Sequence, residues 1–151
     1  MRKLILAVAV TVIAAFGADN SLGTWKLNVA KSKYSPAPMP LKSLTSTREA
    51  ADGGVKVTNV GERTDGSINA SFTAKYDGSP AAVAGSGAPY DTISIKQVSA
   101  NEFTDERKKT GGSYHAAGHM KISKDGKTMT WTSTGIDANG KKMKAKFVYE
   151  K

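Results

Sequence analysis

The 151-residue sequence contains no cysteine. That excludes disulfides, thiolate nucleophiles, thiolate metal sites and lipid attachment at a leader cysteine, so stability has to come from packing and strand pairing. Histidine is nearly as scarce, with His115 and His119 the only two. On one strand, four residues apart, they stand roughly 13 Å from each other. That is too far to share a metal ion, and no carboxylate is evident to orient either ring. No serine sits in a nucleophile elbow. Asp105 and Glu106 alternate to opposite faces of a strand, which separates them as an acid pair. Gly85-Ser86-Gly87 lacks the lysine and following helix of a phosphate loop. The sequence therefore offers no catalytic residue, no metal site and no cofactor.

Long apolar runs are missing too, except at the start. Met1-Arg2-Lys3 is basic, Leu4 to Phe16 is almost unbroken apolar sequence, and the small residues Ala14, Ala15, Gly17 and Ala18 follow. This is the layout of a secretory signal peptide, and the run is short for a membrane span. Residues 1–18 are expected to be the leader and 19–151 a single domain, secreted or periplasmic, with no stable membrane span once the leader is cut. Arg2 and Lys3 supply two of the +9 formal charges, which leaves +7 for the rest. Basic residues form only singles and short runs, such as Arg107-Lys108-Lys109 and Lys141-Lys142. With no long basic block and no interleaved aromatics, no specific nucleic-acid partner is indicated. Lysines on outward strand faces guard against edge-to-edge association, or they form a surface for acidic polymers.

What the remainder does have is turn punctuation. Asp52-Gly53-Gly54, Asp65-Gly66, Asp77-Gly78, Ala100-Asn101, Gly111-Gly112, Asp125-Gly126 and Asn139-Gly140 recur about every dozen residues, and such pairs suit tight hairpins. No helical apolar period is sustained between them. Consecutive hairpins make an up-and-down sheet, and such a sheet escapes its exposed edges by closing into a barrel. Alternation assigns inward rows: Val55, Val57, Asn59 and Arg63; Ile68, Ala70, Phe72, Ala74 and Tyr76; Ile93, Ile95 and Gln97; Phe103, Asp105 and Arg107; Tyr114, Met120 and Ile122; Met129 and Trp131; Met143, Ala145, Phe147 and Tyr149. Val29 to Tyr34 fits a turn of helix. The segment Ser35-Pro36-Ala37-Pro38-Met39-Pro40 fits only a connecting loop, and Ala81 to Pro89 reads as a flexible loop after a short strand.

The run Gly23-Thr24-Trp25-Lys26-Leu27-Asn28 opens the first strand. Gly23 and Trp25 fall on one side of the pleat. At these residues the chain resembles the lipocalin and fatty-acid-binding-protein group, the calycins, and within it small bacterial secreted lipocalin-like proteins. Their first strand begins with Gly-x-Trp, and its indole packs across the closed end of the barrel. The resemblance implies an all-β, up-and-down antiparallel barrel of eight to ten strands plugged by Gly23 and Trp25, with the Pro-rich loop folded over the open mouth. Lipocalins also place an arginine of the last strand over the tryptophan; here that strand offers Lys142, Lys144 and Lys146.

An arginine turned inward must meet a carboxylate, cavity water or an anionic ligand, because an unpaired buried guanidinium is too costly. A guanidinium fork suits a carboxylate head group. The resemblance implies the same use. Arg63 and Arg107 are thus the candidate head-group residues, and Phe72, Tyr76, Phe103, Tyr114, Met120 and Trp131 the candidate walls. The expected function is non-enzymatic binding or transport of a small hydrophobic molecule, neutral or anionic, by a monomer. The alternatives are a packed barrel that meets acidic polymers with its basic exterior, and an isomerase using Asp105 and Arg107.

Overall fold

The computed structural model describes residues 18–151, so the expected leader lies outside the described residues apart from Ala18. All but one of the turn signals join strands that pair with each other. The strands are β1 (Gly23–Leu27), β2 (Lys33–Ser35), β3 (Leu41–Ala51), β4 (Gly54–Arg63), β5 (Gly66–Lys75), β6 (Ala81–Ala82), β7 (Ala84–Ser86), β8 (Thr92–Ser99), β9 (Glu102–Lys108), β10 (His115–Ile122), β11 (Thr128–Ile136) and β12 (Lys142–Glu150). All pairings are antiparallel, in the order β8-β9-β10-β11-β12-β1-β3-β4-β5, with β2 on β12, β6 on β8 and β7 on β5. Nine strands make the wall, inside the expected eight to ten. β2, β6 and β7, of three, two and three residues, raise the total to twelve.

The first strand meets the last, with Lys26 opposite Glu150 and Leu27 opposite Tyr149. The seam lies elsewhere, between β5 and β8. Asp77-Gly78, the exceptional turn signal, closes it at one end: Asp77 bridges Lys96 and the Gly78 N–H donates to Ile95 O at 2.9 Å. Toward the other end the gap is occupied by β6 and β7. This corrects the expected loop over Ala81 to Pro89, part of which is paired strand. The physical reason is Gly85, whose positive φ and missing side chain let its backbone press against the Asn69 carbonyl of β5. The helical turn also shrinks, to a 3-10 turn over Val29–Lys31. Asn28 caps it by accepting from the Lys31 N–H at 3.1 Å, and pairing with β12 claims the chain from Lys33 onward.

The inward rows emerge as read. Val55, Val57, Ile68, Phe72, Ile93, Ile95, Phe103 and Met129 are all buried. The end carrying the β3–β4 turn is sealed by Trp25, which is 0% exposed. Burying that indole contributes on the order of 4 kcal/mol of transfer free energy. Its Nε1 donates to Ser21 O at 2.8 Å, and Asp19 Oδ1 accepts from Ser21 N at 2.9 Å and Ser21 Oγ at 2.6 Å. Gln97 Nε2 donates to Ala18 O at 3.2 Å, and Asn20 N to Ala100 O at 3.0 Å. No lysine of β12 covers the tryptophan. Lys151, just beyond that strand, places its Nζ 4.7 Å from the Trp25 ring centroid. Gly23 makes the room, since a Cβ there would stand 2.9 Å from Lys151 Cε, and its φ of 122° disfavours any other residue. Among the described residues no helix is long and apolar enough to cross a membrane.

Candidate ligand-binding site

Opposite the sealed end, the barrel holds a cavity of about 400 Å³. The Pro-rich segment straps its mouth: Pro36, Ala37, Pro38 and Pro40 line it, and Tyr34 beside them donates its hydroxyl to Met143 Sδ at 3.7 Å. Burial pushes the Tyr34 hydroxyl pKa up. Beneath lies a second chamber of about 90 Å³. Leu44, Asn59, Tyr90, Trp131 and Tyr149 line both spaces, so the two adjoin across a shared wall, a wide outer part above a narrow floor.

The sequence candidates divide along this axis. Arg63, Tyr114 and Trp131 line the outer part, and Phe72, Phe103, Arg107, Met120 and Trp131 the floor. Tyr76 lines neither, which corrects its assignment as a wall residue. Its ring packs on Phe103 with centroids 5.2 Å apart, and its hydroxyl donates to Asp19 Oδ2 in the seal. Arg63 sits at the rim rather than inside. Its Nε lies 3.0 Å from Asp65 Oδ1, and that bond holds the Asp65 carboxyl below the usual carboxylate range.

Arg107 is the interior cation. Its guanidinium lies 3.6 Å from the Trp131 ring centroid and 5.2 Å from that of Tyr90. Nε approaches Asp105 Oδ1 to 3.0 Å, yet neither atom makes an aligned hydrogen bond, so the contact is Coulombic. Burial pulls the guanidinium pKa down, but the Asp105 carboxylate together with Tyr90, Tyr114 and Tyr149 outweighs it and the net direction is up. Asp105 spends its other oxygen on the Trp131 indole, which donates to Oδ2 at 2.8 Å. That bond crosses β10, where the register sets Gly118 opposite Asp105. A Cβ on Gly118 would stand 2.6 Å from Asp105 Oδ2 and closer still to Trp131 Nε1. Only glycine leaves space for the two to meet.

A second cation escaped the sequence reading. Arg48 is 7% exposed and lines the floor chamber. Its Nε donates to Ser21 Oγ at 3.1 Å, and its Nη2 is buried without a partner among the described residues. Asp105 is the one carboxylate lining that chamber. Two guanidiniums facing one carboxylate make the floor electropositive.

Comparison with protein-family models and with curated proteins gives no match.

The architecture by itself is compatible with a calycin-like fold: a nearly closed antiparallel barrel with its indole at the sealed end. Elsewhere the expectation for the histidines needs correction. His119 does have an acid, because Nε2 lies 2.5 Å from Glu102 Oε1 on β9. Antiparallel pairing of His119 with Thr104 brings Glu102 alongside, a cross-strand neighbour that sequence spacing does not reveal. Both side chains are about one-third exposed, and neither lines the pocket. Among the described residues no group of three His, Cys, Asp or Glu could hold a metal ion.

Proposed function

We propose that this chain is a secreted, lipocalin-like carrier that holds a small, largely apolar ligand non-covalently in the two-part pocket and does not transform it. The carrying observation is the charge balance of the floor, where Arg107 and Arg48 stand against Asp105 as the one carboxylate of its lining. The outer part has an apolar wall of Leu41, Ile68, Met143 and Phe147 beside charged residues of both signs, Arg63, Asp65, Asp137 and Lys141. A molecule with an apolar body and an anionic end fits with its body on that wall and its anion at the floor. Trp131 lines both parts, so it reports occupancy. Titration with 1-anilinonaphthalene-8-sulfonate and with oleate, followed by tryptophan emission and by thermal melting, is expected to give saturable binding of at least one probe and a raised melting temperature. Unchanged emission and melting with both overturns the reading.

One observation favours a second use, on the outside. Lys142, Lys144 and Lys146 all project outward from β12, and Lys33 of β2 lies directly opposite Lys146. Like charges in register destabilise a sheet, and none of the four takes part in an ion pair among the described residues. A surface for acidic polymers accounts for that arrangement. Retention on a sulfonated resin that collapses between low and moderate salt, and weakens in Lys144→Glu, is the expected behaviour.

A further inference from the structure

The tyrosines carry the clue to what fills the pocket. Five occur in the chain. Among the described residues, the hydroxyls of Tyr34 and Tyr76 have hydrogen-bond partners. Those of Tyr90, Tyr114 and Tyr149 have none, and all three residues line the outer cavity. Burial lifts the Tyr114 pKa to about 12 and moves Tyr149 the same way, so both stay protonated and able to donate. The rings themselves are paired. Tyr90 and Tyr114 stack with centroids 6.0 Å apart and planes 28° from parallel, and Trp131 and Phe147 at 5.4 Å with planes 16° from parallel.

An acyl chain would displace water from those hydroxyls and give nothing back, and burying a hydroxyl without a partner is costly. It would also lose its torsional freedom against rigid walls. A planar ring system bearing carbonyl or carboxylate oxygens avoids both penalties, since it has no torsions to lose, packs flat against the side chains that line the cavity and accepts from the phenols. Resting on the carrier reading above, we infer that the ligand is a rigid polycyclic aromatic acid with acceptor oxygens on its rings, held by the hydroxyls of Tyr90, Tyr114 and Tyr149 with its anionic end toward Arg107 and Arg48.

Three probes separate the possibilities: anthraquinone-2-carboxylate, which is flat with ring carbonyls; anthracene-2-carboxylate, which is flat without them; and oleate. Affinities measured by calorimetry and Trp131 quenching are expected to fall in that order. Tyr90→Phe and Tyr114→Phe keep the rings, and each is expected to cost about fivefold in affinity for the anthraquinone while leaving the anthracene unchanged. Thermal melts of both variants check that they fold. Tightest binding by oleate overturns the inference and leaves the carrier reading standing, as does equal anthraquinone affinity in the phenylalanine variants. Failure of all three probes overturns both.

Discussion

The two ends of the barrel are built from similar residues and treat them oppositely. At the sealed end Asp19, Ser21, Trp25, Tyr76 and Gln97 bond to one another or to backbone. At the floor Arg48 Nη2 is buried without a hydrogen-bond partner among the described residues and Arg107 Nε meets Asp105 only in an unaligned contact, while Tyr90, Tyr114 and Tyr149 line the cavity above with no bond to their hydroxyls. Buried polar groups are almost always satisfied, so the difference separates groups that hold the fold from groups kept for something else. Arg48 belongs to both, bonded to Ser21 on one side and open to the chamber on the other. Substitutions at the sealed end should therefore move stability without affinity, and those at the floor should move both.

The largest expected effect is Trp25→Ala. Removing a fully buried indole should cost about 3–5 kcal/mol in urea unfolding, with probe affinity of the remaining folded protein unchanged. A matching loss of affinity would break the division between the ends. Gly118→Ala comes next, at about 2–3 kcal/mol, because the new methyl group drives apart Asp105 and Trp131. Here affinity should fall as well, and the Trp131 emission should shift before any ligand is added.

Much of this architecture was legible in the residues. Alternation with period two assigned Ile68 through Tyr76 inward, and all five alternate residues are buried; the Asp-Gly and Asn-Gly pairs, Asp77-Gly78 excepted, located hairpins. Arg48 was hidden by a bulge. Leu41 and Leu44 both face the interior, although three residues apart, because the register slips between Leu41 and Ser43. A one-residue slip inverts every face beyond it. Lys151, Glu102 and Gly118 were illegible for another reason: each matters through a neighbour on a different strand, and register fixes those neighbours only once the barrel has closed. Tyr76 was correctly turned inward but given the wrong height, since alternation assigns a face and not a position along the axis.

High pH offers a comparison within one experiment. Burial raises Tyr76 and Tyr114 from 10 to about 12 each, with the bond to Asp19 adding to the shift at Tyr76. Below pH 10 both are protonated folded or unfolded, and their contribution is complete. Between pH 10 and 12 the unfolded chain releases protons that the folded chain retains, so stability should fall by on the order of 2 kcal/mol per tyrosine. Tyr76→Phe and Tyr114→Phe should each flatten part of that decline. Only Tyr114→Phe should also alter anthraquinone-2-carboxylate binding, because only that hydroxyl faces the cavity.

The smallest effect should come from Lys151, whose ammonium lies over Trp25. An exposed cation over an indole is worth about 0.5–1 kcal/mol, so Lys151→Ala should lower stability by that amount and leave affinity alone. Lys151→Met keeps an unbranched stem on the indole and removes the charge. If it restores most of the loss, the stem's packing is the greater part; if it behaves like alanine, the charge is. An effect of either variant on probe binding would mean that the seal and the floor are mechanically coupled through Trp25, Ser21 and Arg48. That chain of contacts exists, because Ser21 accepts from both Trp25 and Arg48. Rigid closure by Asp19 is what should keep it silent, since one carboxylate holds Ser21 and Tyr76 together.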